Sequence, residues 1–386
     1  MFNGRFGVRC FLFDFMHIMG YNFFGDIMKE MFRKIGKSNA FMYKICCDIL
    51  YAAKSDVQKE AKIKENIDKL APELYNDKQK FKKIYKDLLG QKYIYGITYL
   101  DEYFLFDFPN RSFEERKAFV GTDEYLRNTK KIKTKEVEEH PILKDKYSAY
   151  QTLKKYYKRD IVPIKSFADF AEFNAFVQKH PVFLIKKETG SLGKNITKYD
   201  LSDGKTNPKT LFLALLSKGQ WVAEEMIEQC DEMAAFHPAS VNTVRIATFY
   251  DKNKKLTKLF AMFRTGSGNS VVDNASSGGI CASIDLKTGI IESNGYKKNG
   301  EIAELQPDTK HIIKGFQIPQ WEELLHLADE VAFAVPYYNY IGWDFALTDN
   351  GWVVVEGNSR PNINSIQMCS GRGLRKILDE TLGLGE

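Results

Sequence analysis

The chain has 386 residues, of which 44% are hydrophobic and 27% charged, a balance typical of soluble globular proteins. This length is sufficient for two or three packed subdomains. Much of the net charge of +6 comes from two Lys-rich segments, Lys59–Lys69 and Lys78–Lys86, which are interpreted as solvated helix faces. Nucleic-acid binding is not expected, because no stripe of Arg interleaved with aromatic residues accompanies this charge.

The cysteines and the N-terminal segment indicate the cellular setting. The six cysteines show no metal-ligand spacing, and scattered thiols favour a reducing, cytoplasmic location. No signal peptide is evident. Polar residues such as Asp14 and His17 interrupt the apolar stretch Cys10–Met28, so this stretch does not predict a membrane-spanning helix. Packing on the protein's own core is the favoured interpretation, and amphipathic contact with a membrane or a partner stays open.

The pattern of the chain predicts a helical region followed by a mixed α+β region. The first third contains few glycines and many Lys, Glu and aromatic residues, which indicates helices. Pro181–Leu201 alternates an apolar strand, a glycine-containing turn and a second strand. A helix is expected from Pro208, with Gly219 just beyond its end. The segment 220–229 then predicts a buried strand that continues into a polar hinge.

The rest of the chain is predicted to form hairpins around one helix. A first hairpin turns at Asp251–Lys254 and a second at Asp285–Gly289. Between them, Thr265–Gly279 is a polar, glycine-rich loop. The helix Pro319–Tyr337 carries its apolar residues on one face. A third hairpin follows this helix and turns at an Asp-Asn-Gly sequence.

This last hairpin carries the strongest chemical signal. Asp344 lies on its first strand, Glu356 ends its second strand, and Asn358 follows two residues later. A tight hairpin brings these positions together. Both acids stand in apolar runs and are expected to be buried, where a carboxylate needs a cation or hydrogen bonds. These oxygen ligands suit Mg²⁺. The alternative is that the two acids are unrelated surface residues.

Two further segments indicate nucleotide contacts more weakly. Lys186 ends an apolar strand and precedes a glycine turn, so its charge and the N–H groups of the turn could surround phosphate oxygens. An ordinary hairpin turn explains the same pattern. The strand in segment 220–229 becomes acidic abruptly and could offer backbone groups to an adenine ring. An edge strand with solvated glutamates is the alternative there.

In this order, the three segments resemble the ATP-grasp superfamily, which includes D-alanine–D-alanine ligase, glutathione synthetase and tubulin tyrosine ligase. SVNTVRIATF, DNASSGGI and GWDFALTDNGWVVVEGNSRPN are similar to motifs of the sugar-transfer-associated ATP-grasp family, which is linked to polysaccharide biosynthesis. The resemblance covers about Asp145 to Gly373. It implies an α+β ATP-grasp fold with a small subdomain (138–235) and a large subdomain (236–386). A mainly helical region (1–137), suited to substrate or partner binding, would precede them.

The resemblance implies candidate ATP contacts residue by residue. Lys146 and Lys186 match the two phosphate-binding lysines, and Asp231 or Glu232 matches the ribose contact. The phosphate-covering loop and the adenine hinge would comprise Gly190, Ser191, Gly193, Lys194, Glu224, Glu225, Met226 and Ile227.

The resemblance also implies a reaction centre. The Mg²⁺ ligands would be Asp344, Glu356 and Asn358. Arg245 and Arg264 are candidates to stabilise the transferring phosphoryl group, and Arg360 is a candidate to grip the acid, with a structural salt bridge as the alternative. Asp273 and Asn274 would border the acceptor site, unless Thr265–Gly279 is simply a surface loop.

The chain also departs from the family pattern. Many ATP-grasp ligases carry Arg two residues before the first metal-binding Asp, where this chain has Gly342, so Arg245 or Arg264 would have to substitute. Lys187 stands where relatives usually have Pro. The N-terminal third does not resemble the α/β domain that binds substrate in the named ligases, so their substrates are not expected to transfer.

The expected function is ATP-dependent ligation of a carboxylate to an amine through an acyl phosphate. The acid is expected to be a small molecule or part of a glycan. Two alternatives stay open at this point. Some ATP-grasp proteins phosphorylate a hydroxyl, and the absence of Arg at position 342 is compatible with nucleotide binding without turnover.

Overall fold

The computed structural model describes residues 25–53, 61–132, 142–190, 196–251, 253, 255–270, 273, 278–359 and 361–382. The chain divides into two compact units, one of Met1–Arg127 with Gly371–Lys376 and one of Asn128–Ser370 with Ile377–Glu386. The segment Cys10–Met28 lies almost entirely outside the described residues. Within the described ranges, no helix is long and apolar enough to cross a membrane.

The first unit is helical, as the composition predicted. Asp77 begins its longest helix by accepting hydrogen bonds from the backbone N–H groups of Gln79 and Lys80. Tyr85 and Leu88, both fully buried, lie on the inner face of that helix. The helices through this region are α1 (Gly25–Ser38), α2 (Ala40–Ala53), α3 (Ala61–Leu70), α4 (Lys78–Tyr93), α5 (Glu102–Leu105), α6 (Phe113–Arg116) and α7 (Thr122–Ile132).

The second unit contains a four-stranded antiparallel sheet with strand order β1-β4-β2-β3. The predicted hairpin Pro181–Leu201 is present as β2 and β3. Phe173, Phe183 and Phe212 form a fully buried core between the sheet and its helices. The elements are α8 (Lys146–Tyr157), β1 (Ile161–Ile164), α9 (Phe170–Lys179), β2 (Val182–Lys187), β3 (Ile196–Asp200), α10 (Pro208–Leu216) and β4 (Trp221–Glu225).

A seven-stranded antiparallel sheet follows, with order β11-β10-β5-β6-β7-β8-β9. One of its faces packs in a core with the predicted apolar helix, through residues such as Trp343 and Phe345. That helix begins at Trp321 and ends at Ala334, inside the predicted bounds. The elements are α11 (Asp231–Ala234), β5 (Thr243–Tyr250), β6 (Leu256–Thr265), β7 (Ile280–Ile284), β8 (Gly295–Lys297), β9 (Ile302–Ala303), α12 (Trp321–Ala334), β10 (Tyr340–Thr348), β11 (Gly351–Asn358), α13 (Asn364–Ser370) and α14 (Arg375–Leu382).

The two sheets lie within the segments proposed as small and large subdomains, residues 138–235 and 236–386. We retain that division as a proposal. Two of the three predicted hairpins in the second segment form as expected, one turning between β5 and β6 and the other between β10 and β11.

The hairpin predicted to turn at Asp285–Gly289 also forms, although its pairing is irregular. The N–H of Gly289 donates to the carbonyl of Asp285 at 2.8 Å. Beyond the turn, Ile284 and Ile291 form an isolated antiparallel bridge, and β7 then pairs with β8. The return arm also bonds a third segment, because the N–H of Ile291 donates to the carbonyl of Phe316 at 2.9 Å.

We expect Gly289→Ala to destabilise the second unit. Gly289 has φ +74, and an added Cβ would lie 2.4 Å from Cγ of the buried Trp321. The left-handed backbone alone costs about 1–2 kcal/mol for an L-residue. Gly204→Ala is the matched control, because Gly204 has φ +67 but open space around it. Urea unfolding should show a larger loss for Gly289→Ala, and equal losses would contradict the contact with Trp321.

Candidate active site

Lys186 and Glu224 meet across the small sheet in a buried ion pair. Lys186 is the next-to-last residue of β2, and its Nζ lies 2.8 Å from Oε2 of Glu224 on β4. Oε1 of the same carboxylate accepts from Nε of Arg159 at 2.9 Å. Burial would raise the pKa of Glu224, but the charges of Lys186 and Arg159 outweigh it and lower the pKa to about 2. Glu224 therefore stays ionised between two cations.

Arg159 connects this cluster to the large sheet. Its Nη1 donates to the carbonyl of Val354 at 2.6 Å and its Nη2 to the carbonyl of Val355 at 3.3 Å. The register of β10 and β11 shifts at this point, so Val355 is the extra residue of a β-bulge. Arg159 thus binds carbonyls at the bulge that precedes Glu356. The sequence analysis missed this residue, whose only signal is a charge just before the fully buried strand β1.

Lys146, at the start of α8, lies near Lys186 and the glycine turn. Its Nζ donates to the carbonyls of Lys187, at the end of β2, at 2.9 Å and of Gly190, the first residue of the glycine turn, at 3.3 Å. Burial lowers the pKa of Lys146, the charge of Glu356 opposes this shift, and the like charge of Lys186 lowers the pKa further. The two predicted phosphate lysines and the predicted metal ligand Glu356 are therefore close enough to interact electrostatically.

Part of the predicted loop lies outside the described residues. This applies to Ser191, Gly193 and Lys194, and also to Arg360 and Asn274. Gly190 is described, with φ +136 and no atom within 4 Å of an added Cβ. Glycine is favoured here by the positive φ of the backbone, and not because a larger side chain would clash.

The predicted hinge begins with the last two residues of β4 and continues beyond the strand without regular structure. Glu225, Met226 and Ile227 are half-buried, and Asp231 and Glu232 are exposed at the start of α11. The side chain of Glu225 points away from Lys186, because Oε2 accepts from the backbone N–H of Asp160 at 2.8 Å. The alternation along β4 thus directs Glu224 to the lysine cluster and Glu225 to the opposite face.

Asp344 is buried on the large sheet and is bound by two arginines. Arg245, its direct cross-strand neighbour on β5, donates from Nε to Oδ1 at 2.7 Å and from Nη2 to Oδ2 at 2.6 Å. Nη1 of Arg264 donates to Oδ2 at 2.7 Å. Burial would raise the pKa of Asp344, but the two guanidinium charges lower it.

A second carboxylate balances these arginines. Oδ1 of Asp273 lies 3.0 Å from Nη2 of Arg264, and Thr243 donates its hydroxyl to Oδ2 of the same Asp. Two cations and two anions therefore form one neutral network. Arg264 is 6% exposed and lies inside the network. Arg245 is less deeply buried, and its strand β5 is closer than β6 to strand β11, which contains Glu356.

Glu356 differs from Asp344 in its surroundings. The two residues come together as predicted and are directly opposite on β10 and β11, but Glu356 is exposed. The expectation that it is buried in an apolar run was wrong, because Glu356 lies near the end of the edge strand β11, whereas Asp344 lies in the middle of the interior strand β10. Nδ2 of Asn358 donates to Oε1 of Glu356 at 3.0 Å.

The donors on this face fit a hard divalent cation. Asp344, Glu356 and Asn358 lie on the same side of the sheet, because directly opposed residues of antiparallel strands point the same way. Oδ1 of Asp344 accepts one hydrogen bond from Arg245 and has a second lone pair. Rotation of the Asn358 amide would present its oxygen next to Glu356. Two carboxylates and an amide oxygen are the donor set that Mg²⁺ prefers.

Position 342 is closed to the arginine found in many ATP-grasp ligases. A Cβ added to Gly342 would lie 2.5 Å from Cβ of Pro361. The neighbouring strands instead supply Arg245 and Arg264, both of which contact Asp344. This chain therefore brings guanidinium groups to the predicted metal-binding Asp from β5 and β6 rather than from β10.

The family model for sugar-transfer associated ATP-grasp proteins matches residues 125–382. No curated protein matches the chain. Among solved structures, VanG D-Ala:D-Ser ligase from Enterococcus faecalis is similar at 16% identity and a TM-score of 0.40, over 63% of this chain and 62% of that one.

Two other solved structures show similarity of the same order. D-alanyl-alanine synthetase A from Vibrio cholerae O1 biovar eltor has 12% identity and a TM-score of 0.38, over 62% of this chain and 66% of that one. An N5-carboxyaminoimidazole ribonucleotide synthetase in complex with ADP has 9% identity and a TM-score of 0.35, over 59% and 50%. The chain thus spans about half to two-thirds of the length of these proteins.

Proposed function

The chain belongs to the sugar-transfer-associated ATP-grasp family, and on this premise we propose that it is an ATP-dependent ligase that joins a carboxylate to an amine. Its membership agrees with the resemblance found in the sequence, and its fold is the α+β ATP-grasp fold expected from it. The proposal covers the activity, the cofactor Mg²⁺ and the roles of individual residues.

One observation carries the proposal: basic groups for phosphate and acidic groups for a cation come from two different sheets to one region. Lys186 belongs to the small sheet and Glu356 to the large one, and both influence the pKa of Lys146. Arg159 joins the sheets by contacting Glu224 on one side and the bulge carbonyls on the other. This arrangement suits a triphosphate held between two sheets.

The proposed mechanism transfers the terminal phosphoryl group of ATP to the carboxylate of the acid. The resulting acyl phosphate has phosphate as a good leaving group, which the amine displaces to form an amide, so that ADP and phosphate are released. Lys146 and Lys186 offset the repulsion between the anionic acid and the triphosphate, and hold both in line.

The remaining site residues are proposed to surround the transferred phosphoryl group and the nucleotide. Arg245, at the edge of the buried network, is our candidate to contact the phosphoryl oxygens, and Arg264 holds Asp344 in position. When bound by Asp344, Glu356 and Asn358, Mg²⁺ supplies neutralisation of the phosphate charge. Residues Met226 and Ile227 are proposed to face the adenine, with Asp231 or Glu232 at the ribose.

Analysis of the nucleotide products tests this function. The protein is incubated with Mg-ATP and pools of candidate acids and amines, and ADP, AMP and free phosphate are quantified. ADP with equal free phosphate, dependent on both pools, is the expected result. AMP would contradict the acyl-phosphate mechanism. ADP without free phosphate would identify a kinase, which is the second activity known for this kind of fold.

We expect Lys186→Ala to weaken Mg-ATP binding by about tenfold or more, because a half-buried charge next to the phosphates is lost. Glu224 keeps its contact with Arg159 in this variant, so the fold should persist. Isothermal titration with ATP measures the effect. Lys198→Ala is the matched control, since Lys198 is exposed on the adjacent strand β3. Equal ATP affinity of both variants would refute the phosphate role of Lys186.

A further inference from the structure

The helical unit contains a concave pocket of about 430 Å³ between α2, α4 and α6. This volume lies in the range of small-molecule sites in proteins. The interpretation of the Lys-rich segments as solvated faces agrees with α3, where Lys62, Lys64 and Lys69 are exposed. It also agrees with α4, where Lys82 and Lys83 are exposed; together with Lys86 they line this pocket.

The pocket has a strong excess of positive charge. Five basic and two acidic side chains line it, which gives +3. The acids are already paired: Asp48 lies 2.5 Å from Nζ of Lys86, and Asp87 lies 2.6 Å from Nη1 of Arg116. The surplus charge therefore belongs to the basic residues outside these pairs, which are Lys44, Lys82 and Lys83.

The carboxylate in the floor of the pocket, Asp87, is already bound by its neighbours and does not neutralise this surplus. The carboxylate of Asp87 accepts hydrogen bonds from the hydroxyls of Tyr43 at 2.7 Å and Tyr103 at 2.6 Å, in addition to Arg116. Burial raises the pKa of the Cys47 thiol, so this lining group stays neutral. Among the described residues that line the pocket, no further carboxylate faces these lysines, so an anion from solution can balance them.

The pocket wall also offers an aromatic surface. The half-buried ring of Phe113 lies with its centroid 5.4 Å from that of Tyr43. Such surfaces pack against the apolar face of a ring-containing ligand. A single carboxylate would balance one lysine, whereas a phosphate group carries a charge of about −1.5 to −2 at neutral pH.

We propose that this pocket binds a phosphorylated small molecule, with its phosphate or diphosphate at Lys44 and Lys83 and its ring against Phe113. The proposal extends the proposed ligase function by naming a substrate class. It rests on that function only where it gives the bound molecule a role in turnover. Binding itself is measurable without nucleotide, so the two ideas fail separately.

Calorimetric titration of the full chain with pyrophosphate and with glucose 1-phosphate tests the proposal. We expect Lys44→Gln with Lys83→Gln to weaken binding of both by about tenfold or more, because two of five positive charges are lost. Binding should also weaken with added salt, which screens exposed charges. Lys64→Gln with Lys69→Gln is the matched control, since it removes two exposed lysines from α3 in the same unit.

The variant Lys186→Ala separates this pocket from the proposed ATP site. Retained phosphate binding in Lys186→Ala, with loss in the Lys44 and Lys83 double variant, supports the pocket. The reverse pattern, or equal loss in the Lys64 and Lys69 control, would overturn it. Inorganic phosphate is titrated in the same way, and an affinity for it equal to that for glucose 1-phosphate would overturn the assignment of the ring to Phe113.

Discussion

Glu356→Gln is expected to lower turnover on the order of a thousandfold while leaving the fold intact. The substitution removes the negative charge of a proposed Mg²⁺ ligand and changes almost no volume. Glu356 is exposed and accepts its described hydrogen bond from the amide of Asn358, which a Gln oxygen can also accept. Its role in stability is therefore small, and the loss should appear in chemistry alone. Steady-state ADP formation and thermal unfolding measure the two effects.

A control variant separates a site effect from a general loss of charge. Glu323→Gln neutralises an exposed carboxylate of the same size on α12 in the same unit, and should keep full turnover. Surface substitutions of this kind usually change stability by less than about 0.5 kcal/mol. Turnover within tenfold of the wild-type rate in Glu356→Gln would contradict the metal assignment. A large drop in the unfolding temperature would show instead that Glu356 is structural.

The sequence was sufficient to predict the elements near this site, because each had a local signal. Alternation defined β2 and β3, and the Asp-Asn-Gly turn joined the strands that contain Asp344 and Glu356. These signals depend on neighbours in the chain. The direct pairing of Asp344 with Glu356 and the exposure of Glu356 were not predictable in the same way, because the bulge at Val355 adds one residue without a distinctive sequence and β11 lies at the edge of the sheet.

The partners of the charged residues were also beyond the sequence analysis. Arg245 and Arg264 were singled out for chemistry, but their contacts with Asp344 depend on the order β10-β5-β6, which places distant strands side by side. Arg159 escaped notice because its contacts are with Glu224 and with carbonyls of β11, 65 and 195 residues away. Pairings over such separations follow from topology, which no local pattern encodes.

Glu224→Gln is expected to destabilise the protein by about 3 kcal/mol at pH 7. The pKa of Glu224 falls from its ordinary value of 4.5 to about 2 in the folded protein, where the side chain is 3% exposed. Each unit of such a shift corresponds to about 1.4 kcal/mol of stability in the pH range where the group is ionised in both states. Neutralising Glu224 leaves the charges of Lys186 and Arg159 near each other without their shared anion.

The pH dependence gives this prediction its direction. Because the folded pKa is depressed, the stabilisation is fully present above about pH 4.5 and is lost as the pH falls towards 2, where the wild-type carboxyl also becomes neutral. Urea unfolding at several pH values should therefore show a constant difference between wild type and Glu224→Gln from pH 7 to 5, and a shrinking one below. Glu225→Gln on the same strand is the control, because Glu225 is half-buried and a Gln oxygen can still accept from Asp160. If the difference in unfolding free energy between wild type and Glu224→Gln grows on acidification, the ion pair is not its source. If both variants lose the same unfolding free energy, the stabilisation comes from β4 rather than from the charge of Glu224.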